Sequence, residues 1–195
     1  EYRPMGLAGK RVGLIGLGRI SRIVSEMCSD AFRMEVWAYD PYVQADSIKD
    51  KTFVLRPEMS EVIKTADFLS LHVPLTDETQ GLIGKEQLAM MKSTAFLINT
   101  SRGEIVQESA LVDALTRGVI AGAGMDVFEK EPPDAHNPLF RFENVIFTPH
   151  TAALTKDGVI QLAEGAADNA LRVLAGLKPT YSPNWEIVQA KPARK

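Results

Sequence analysis

Val12-Gly13-Leu14-Ile15-Gly16-Leu17-Gly18-Arg19-Ile20-Ser21 decides how this chain is read. An apolar run stops at a glycine turn and a helical pattern begins at once, with Ile20, Ile23, Val24 and Met27 at helical spacing. A strand that feeds a helix through Gly-x-Gly leaves backbone N–H groups free at the helix start, where the helix dipole adds partial positive charge. Such a corner binds phosphate. Gly16 makes the turn, and Gly18 lets backbone approach a pyrophosphate. Ser21, small but not glycine, fills the third position of the G-x-G-x-x-G pattern, where its extra atoms are expected to push the helix slightly from the sheet.

The next apolar run, Glu35-Val36-Trp37-Ala38-Tyr39-Asp40, reads as a strand ending on Asp40. Asp40 follows the glycine turn at the distance expected of the acid that bonds the ribose hydroxyls of NAD. A carboxylate there repels the 2′-phosphate of NADP, so NAD is the expected cofactor. Further strands are read at 52–55, 68–73, 95–99, 119–127 and 144–148. Helices are expected over 59–66, 84–92, 108–117 and from Thr155 to near Gly176. Segments 41–50 and 129–142 read as loops, and 183–195 as a tail. Apolar strands alternating with amphipathic helices predict an α/β fold, a Rossmann-type doubly wound parallel sheet with helices on both faces. The expected organisation is one nucleotide-binding domain over 1–177 and a tail over 178–195.

The 195 residues are 45% hydrophobic and 24% charged, with a net charge of −3, so nothing favours nucleic acid or an anionic membrane as partner. No stretch is long and apolar enough for a membrane span. A single cysteine, Cys28, excludes an internal disulfide and reads as a small core residue in a reducing, cytoplasmic setting. No metal site is expected.

In a doubly wound sheet, ligands lie at the C-terminal ends of the strands. Those ends hold Gly16 and Gly18, Asp40, His72-Val73-Pro74, Asn99-Thr100-Ser101-Arg102-Gly103, Asp126 and Thr148-Pro149-His150. A sheet does not require an arginine, an aspartate and a histidine along one apolar edge, so the set reads as a site. His72 lies on a buried strand and reads as structural or cofactor-lining; His136, in the proline loop, reads as solvated.

These residues give the chain a resemblance to the nucleotide-binding domain of the D-isomer-specific 2-hydroxyacid dehydrogenases, from Leu7 to about Leu177. It is carried by Gly16-Leu17-Gly18-Arg19-Ile20, Tyr39-Asp40-Pro41, Leu71-His72-Val73-Pro74-Leu75 and Ile98-Asn99-Thr100-Ser101-Arg102-Gly103. It continues through Gly124-Met125-Asp126-Val127-Phe128, Glu131-Pro132 and Thr148-Pro149-His150. The resemblance implies hydride transfer between NAD(H) and a small 2-oxo acid or D-2-hydroxy acid. Arg102 resembles the substrate arginine, His150 the acid/base and Glu131 its carboxylate partner, with Glu129 a competing candidate for that last role. By the same match, Arg19 and Ile20 lie on the pyrophosphate and Val73 and Pro74 border the adenosine. Thr100, Ser101, Arg102 and His150 line the cofactor, and Asp126 sits near its nicotinamide end. The resemblance also implies a homodimer, and a second, substrate-binding domain built mainly from sequence before Leu7. A non-catalytic NAD sensor of the co-repressor kind is the alternative reading. The formate dehydrogenase branch is disfavoured by the acidic Glu131.

Overall fold

The computed structural model describes residues 6–44 and 52–189. The chain divides into two compact units, Glu1–His150 and Thr151–Lys195.

The first unit is built on a seven-stranded sheet in which every pairing is parallel. Its strands are β1 (Arg11–Ile15), β2 (Glu35–Tyr39), β3 (Val54–Leu55), β4 (Phe68–Leu71), β5 (Phe96–Asn99), β6 (Gly122–Met125) and β7 (Val145–Phe147). The order across the sheet is β3-β2-β1-β4-β5-β6-β7. The chain runs outward from β1 on one side, returns, and continues from β4 on the other. The crevice between the ends of β1 and β4 is therefore the switch point at which such sheets bind ligands. Helices α1 (Arg19–Glu26), α2 (Met59–Thr65), α3 (Lys85–Met90) and α4 (Glu108–Thr116) make the crossovers. Two clusters form the core. The larger gathers Ile15, Leu69, Leu71 and Leu97 with Val62, Ile63 and Leu111; the smaller joins Val12, Leu14, Val36 and Ala38 to Leu17 and Phe53. Strands enclosed on both faces are apolar almost throughout, buried Ser70 and Asn99 being polar exceptions in β4 and β5.

Several details differ from the sequence reading. Helix α1 forms where its periodicity places it, but Ile20, Ile23 and Met27 are 70%, 58% and 56% exposed, and the residues it buries are Ser21 and Ser25. Small side chains let the helix lie close to the strands, and each serine has a partner: the Ser21 hydroxyl donates to the Gly18 carbonyl and Ser25 bonds Thr52. Ser21 thus takes the third glycine's place completely buried. After Glu26 the helix widens into a π turn, Met27–Ala31, which carries half-buried Cys28 against the smaller cluster. Strand β2 stops at Tyr39, so Asp40 is the first residue beyond it. The expected strand over 119–127 shortens to β6. The loop over 129–142 holds a 3₁₀ turn, Pro138–Arg141. Of the loop read over 41–50, residues 45–50 lie outside the described residues, as do 190–195.

The second unit contains α5 (Lys156–Leu174) and α6 (Trp185–Gln189), the latter within the segment read as a tail. Thr155 caps α5, its hydroxyl accepting the Gly158 N–H at 2.9 Å. Beyond Gly176, whose φ is +73°, the chain turns back along α5, and the Asn169 side-chain oxygen accepts the Thr180 N–H at 2.8 Å. No helix among the described residues is long and apolar enough to cross a membrane.

Candidate active site

All the strand-end residues selected from the sequence fall along the C-terminal edge of the sheet. A cavity of about 680 Å³ lies between the ends of β1, β2 and β4, lined by Gly16, Gly18, Asp40, Tyr42, His72, Val73, Pro74 and Glu78 among others. A second cavity, of about 620 Å³, is lined by Gly18, Arg19, Ile20, Val73, Pro74, Thr100, Ser101 and Arg102. The two share Gly18, His72, Val73 and Pro74 and so form one elongated cleft across the switch point.

The cleft suits an extended dinucleotide. Gly16 has φ +91°, and a Cβ on it would lie 2.8 Å from the His72 backbone carbonyl, so the turn after β1 can close on β4 only with glycine here. At Gly18 a Cβ would meet nothing within 4 Å, so the backbone there stands open to the cleft. Gly18 is also the N-cap of α1 and gives it no side-chain cap. The first N–H groups of the helix remain available to an anion. Asp40 is held from two sides: its Oδ2 accepts the Leu17 N–H at 2.8 Å and its Oδ1 accepts the Tyr42 N–H at 2.9 Å. The carboxylate is fixed beside the glycine turn, and each oxygen retains acceptor capacity for a hydroxyl.

His72 lies at the waist of the cleft. Its Nε2 sits 3.0 Å from the Ser70 hydroxyl, and burial pulls the imidazole down to about 4, so the ring is neutral near pH 7. This fits a structural, cleft-lining part.

Arg102 is presented by a tight turn after β5. Buried Asn99 shapes it, its amide donating to the Arg102 carbonyl at 2.8 Å and its side-chain oxygen accepting the Ser101 N–H at 3.0 Å. The Ser101 hydroxyl donates to the Leu71 carbonyl at 2.7 Å, tying the turn to β4. Gly103 is buried against the next loop: a Cβ there would lie 1.9 Å from the Phe128 carbonyl. Glycine alone lets the Arg102 turn meet the loop that carries Glu131.

His150 follows β7, and its Nδ1 is 2.7 Å from Glu131 Oε2. Glu131 Oε1 accepts the Phe128 N–H at 3.1 Å, which orients the carboxylate. The hydrogen bond from His150 holds the Glu131 carboxyl below its ordinary range, so it is ionised and accepts only. Nδ1 therefore carries a hydrogen, and Nε2 is the nitrogen that exchanges a proton with a ligand. Glu129 has another use: its carboxylate accepts the Glu108 N–H at the start of α4 at 3.2 Å. Glu131 is thus the carboxylate bonded to His150. The dyad opens on a cavity of about 360 Å³ whose apolar wall is Phe128, Phe140 and Phe147.

Asp126 lines none of these cavities. Its side chain is 3% exposed and accepts the Thr148 hydroxyl, while its carbonyl accepts the His150 N–H at 2.8 Å. It holds the His150 turn through these two bonds. The Tyr42–Glu78 pair is absent from the sequence reading, and Gly103 and Thr148 stand in it only as members of motifs, without their contacts to Phe128 and Asp126, because these partners are distant in the chain. His136 is exposed in the proline loop. No cluster of metal-binding side chains occurs among the described residues.

Arg102, with its planar fork, is of the kind that holds a carboxylate ligand, and an imidazole oriented by a carboxylate can move a proton to or from an oxygen; the Arg102 charge also acts on Glu131.

Residues 1–152 match the family described as D-isomer specific 2-hydroxyacid dehydrogenase, NAD binding domain. The chain is 41% identical over 184 residues to a glyoxylate reductase of Korarchaeum cryptofilum, covering 94% of this chain and 55% of that protein. It is 41% identical over 176 residues to a D-3-phosphoglycerate dehydrogenase of Methanocaldococcus jannaschii, covering 90% of this chain and 33% of that one. Among solved structures it resembles the D-lactate dehydrogenase with NAD+ of Lactobacillus jensenii, with a TM-score of 0.82 and 34% identity over 91% of this chain and 56% of that one. The chain thus spans between about a third and about half of the length of these relatives.

Proposed function

The chain belongs to the D-isomer specific 2-hydroxyacid dehydrogenase family through its NAD binding domain, and from this premise we propose that it serves reversible reduction of a small 2-oxo acid to the D-2-hydroxy acid. The observation that carries the proposal is the 2.7 Å bond between His150 Nδ1 and Glu131 on the sheet edge that also holds Arg102 and the glycine-lined cleft.

The cleft residues fit NAD. The open backbone at Gly18 and the start of α1, with Arg19 and Ile20, take the pyrophosphate. Asp40 takes the ribose hydroxyls, and Val73 and Pro74 border the adenosine. Thr100 and Ser101 would serve the nicotinamide end, and Asp126 would act there only through the His150 turn that it holds. When bound, NADH supplies a hydride to the substrate's C2. Arg102 holds the substrate carboxylate in a charge-assisted pair and polarises the adjacent 2-oxo group. As the C2 oxygen gains negative charge, His150 Nε2 donates a proton to it; in the reverse direction the neutral ring takes that proton back. Glu131 keeps the ring oriented through its bond to Nδ1. The relatives named as glyoxylate reductase and D-3-phosphoglycerate dehydrogenase support glyoxylate, hydroxypyruvate and phosphohydroxypyruvate as first substrates to try. A cytoplasmic setting and a homodimer complete the reading.

The test has two parts. NADH fluorescence titration of this chain is expected to show saturable binding. NADH oxidation is then followed with a panel of 2-oxo acids, beside the variant His150→Ala. Weak or no turnover by this chain is expected, with any turnover lost in the variant. Failure to bind NADH, or turnover that survives His150→Ala, would overturn the assignment. Sedimentation tests the dimer.

A further inference from the structure

Tyr42 and Glu78 belong to different loops, after β2 and after β4, yet the Tyr42 hydroxyl donates to Glu78 Oε2 at 2.7 Å. Both residues line the cavity that holds Asp40. Tyr42 is tied to Asp40 as well, because its N–H is bonded to Asp40 Oδ1 at 2.9 Å. The three residues form a continuous strap: Asp40 fixes the Tyr42 backbone, and the Tyr42 ring spans to Glu78 and holds its carboxylate. The Glu78 carboxylate pushes the Tyr42 hydroxyl group's pKa up, so the phenol stays a neutral donor. Among the described residues, the cavity lining contains the carboxylates Asp40, Asp77 and Glu78 and no lysine or arginine.

We propose that the Tyr42–Glu78 strap is a second determinant of cofactor choice, which rejects a dinucleotide carrying a 2′-phosphate; this rests on the reading of the cleft as a dinucleotide site. Asp40 alone presents one negative charge to the ribose. A phosphate ester brings close to two more negative charges. With Glu78 drawn in by Tyr42, that phosphate meets carboxylates contributed by both loops and, among the described residues, no lining cation. Without the phenol, Glu78 is an exposed side chain that can turn to water, and the repulsion weakens. Exclusion of NADP is thus shared between Asp40 and a residue placed 38 positions later (78 − 40).

The test is a fluorescence titration of this chain with NADH and with NADPH at low salt, for the wild type, Glu78→Gln, Tyr42→Phe and the control Glu35→Gln. Glu35 is an exposed carboxylate at the start of β2, paired with Arg11 outside the cleft. The wild type is expected to prefer NADH. Glu78→Gln should shift the affinity ratio toward NADPH by about fivefold, with a smaller shift the same way for Tyr42→Phe, and both shifts should shrink at high salt. The control should leave the ratio unchanged. A ratio within about twofold of wild type for Glu78→Gln, in a chain that binds NADH, overturns the inference and leaves the dinucleotide reading standing. An equal shift in Glu35→Gln overturns it too, because net charge would then explain the effect. A wild type that binds neither nucleotide overturns the dinucleotide reading, and the inference with it.

Discussion

His150 has φ +52°, a left-handed backbone that a side chain other than glycine disfavours. Two carbonyls hold it there: the His150 N–H is shared by Asp126 O at 2.8 Å and Thr148 O at 3.1 Å. The Thr148 hydroxyl bonds the buried Asp126 carboxylate, so one aspartate fixes the turn through both its backbone and its side chain. Thr148→Val keeps the shape and removes that donor; a loss of about 1–3 kcal/mol in urea unfolding is expected, with Thr148→Ser restoring most of it. His72 gives a pH signature. Its folded value of about 4 lies below the ordinary 6.5, so between these values the unfolded chain binds more protons than the folded one. Stability therefore falls as pH drops from about 6.5 toward 4, by roughly 2 kcal/mol for a ring that is not fully enclosed. His72→Gln should lose this component when melting temperatures are compared across that range.

At the scale of elements, close approach matters more than apolar content. Helix α1 turns Ser21 and Ser25 to the sheet and leaves Ile23 in the open. Ser25→Leu should destabilise the chain by about 1–3 kcal/mol through overpacking. Ile23→Gln should stay within about 0.5 kcal/mol in the same thermal melts. The two loops that bring the site together depend on Gly103 in a similar way. Gly103→Ala places a methyl on the Phe128–Glu129 backbone. The expected result is a melting temperature several degrees lower. The Glu131 carboxyl, followed by NMR, should also move up toward its ordinary value as its bond to His150 loosens.

For the whole molecule, the seven strands, both core clusters and the cleft lie within 6–150. A chain ending at His150 is expected to unfold cooperatively in circular dichroism melts and to retain NADH binding. Loss of the melting transition would show that the second unit is needed for the first to fold.

The parallel sheet, the succession of helices and strands along the chain and the edge that carries the candidate site were legible in the sequence. These follow from local signals: apolar runs set the strands, Gly16-Leu17-Gly18 sets the corner, and the motif residues Asp40, Arg102 and His150 follow strands whose ends must share an edge. Glu131 was legible as one of two candidate carboxylates, and only the tertiary structure sent Glu131 to His150 and Glu129 to the start of α4. Tertiary structure alone decided which face of α1 is buried, because helical spacing marks apolar positions but not how near the backbone must come to the sheet. It alone joined Tyr42 to Glu78 and Thr148 to Asp126, since hydrogen bonds between residues far apart in the chain depend on where strand ends and loops converge in space.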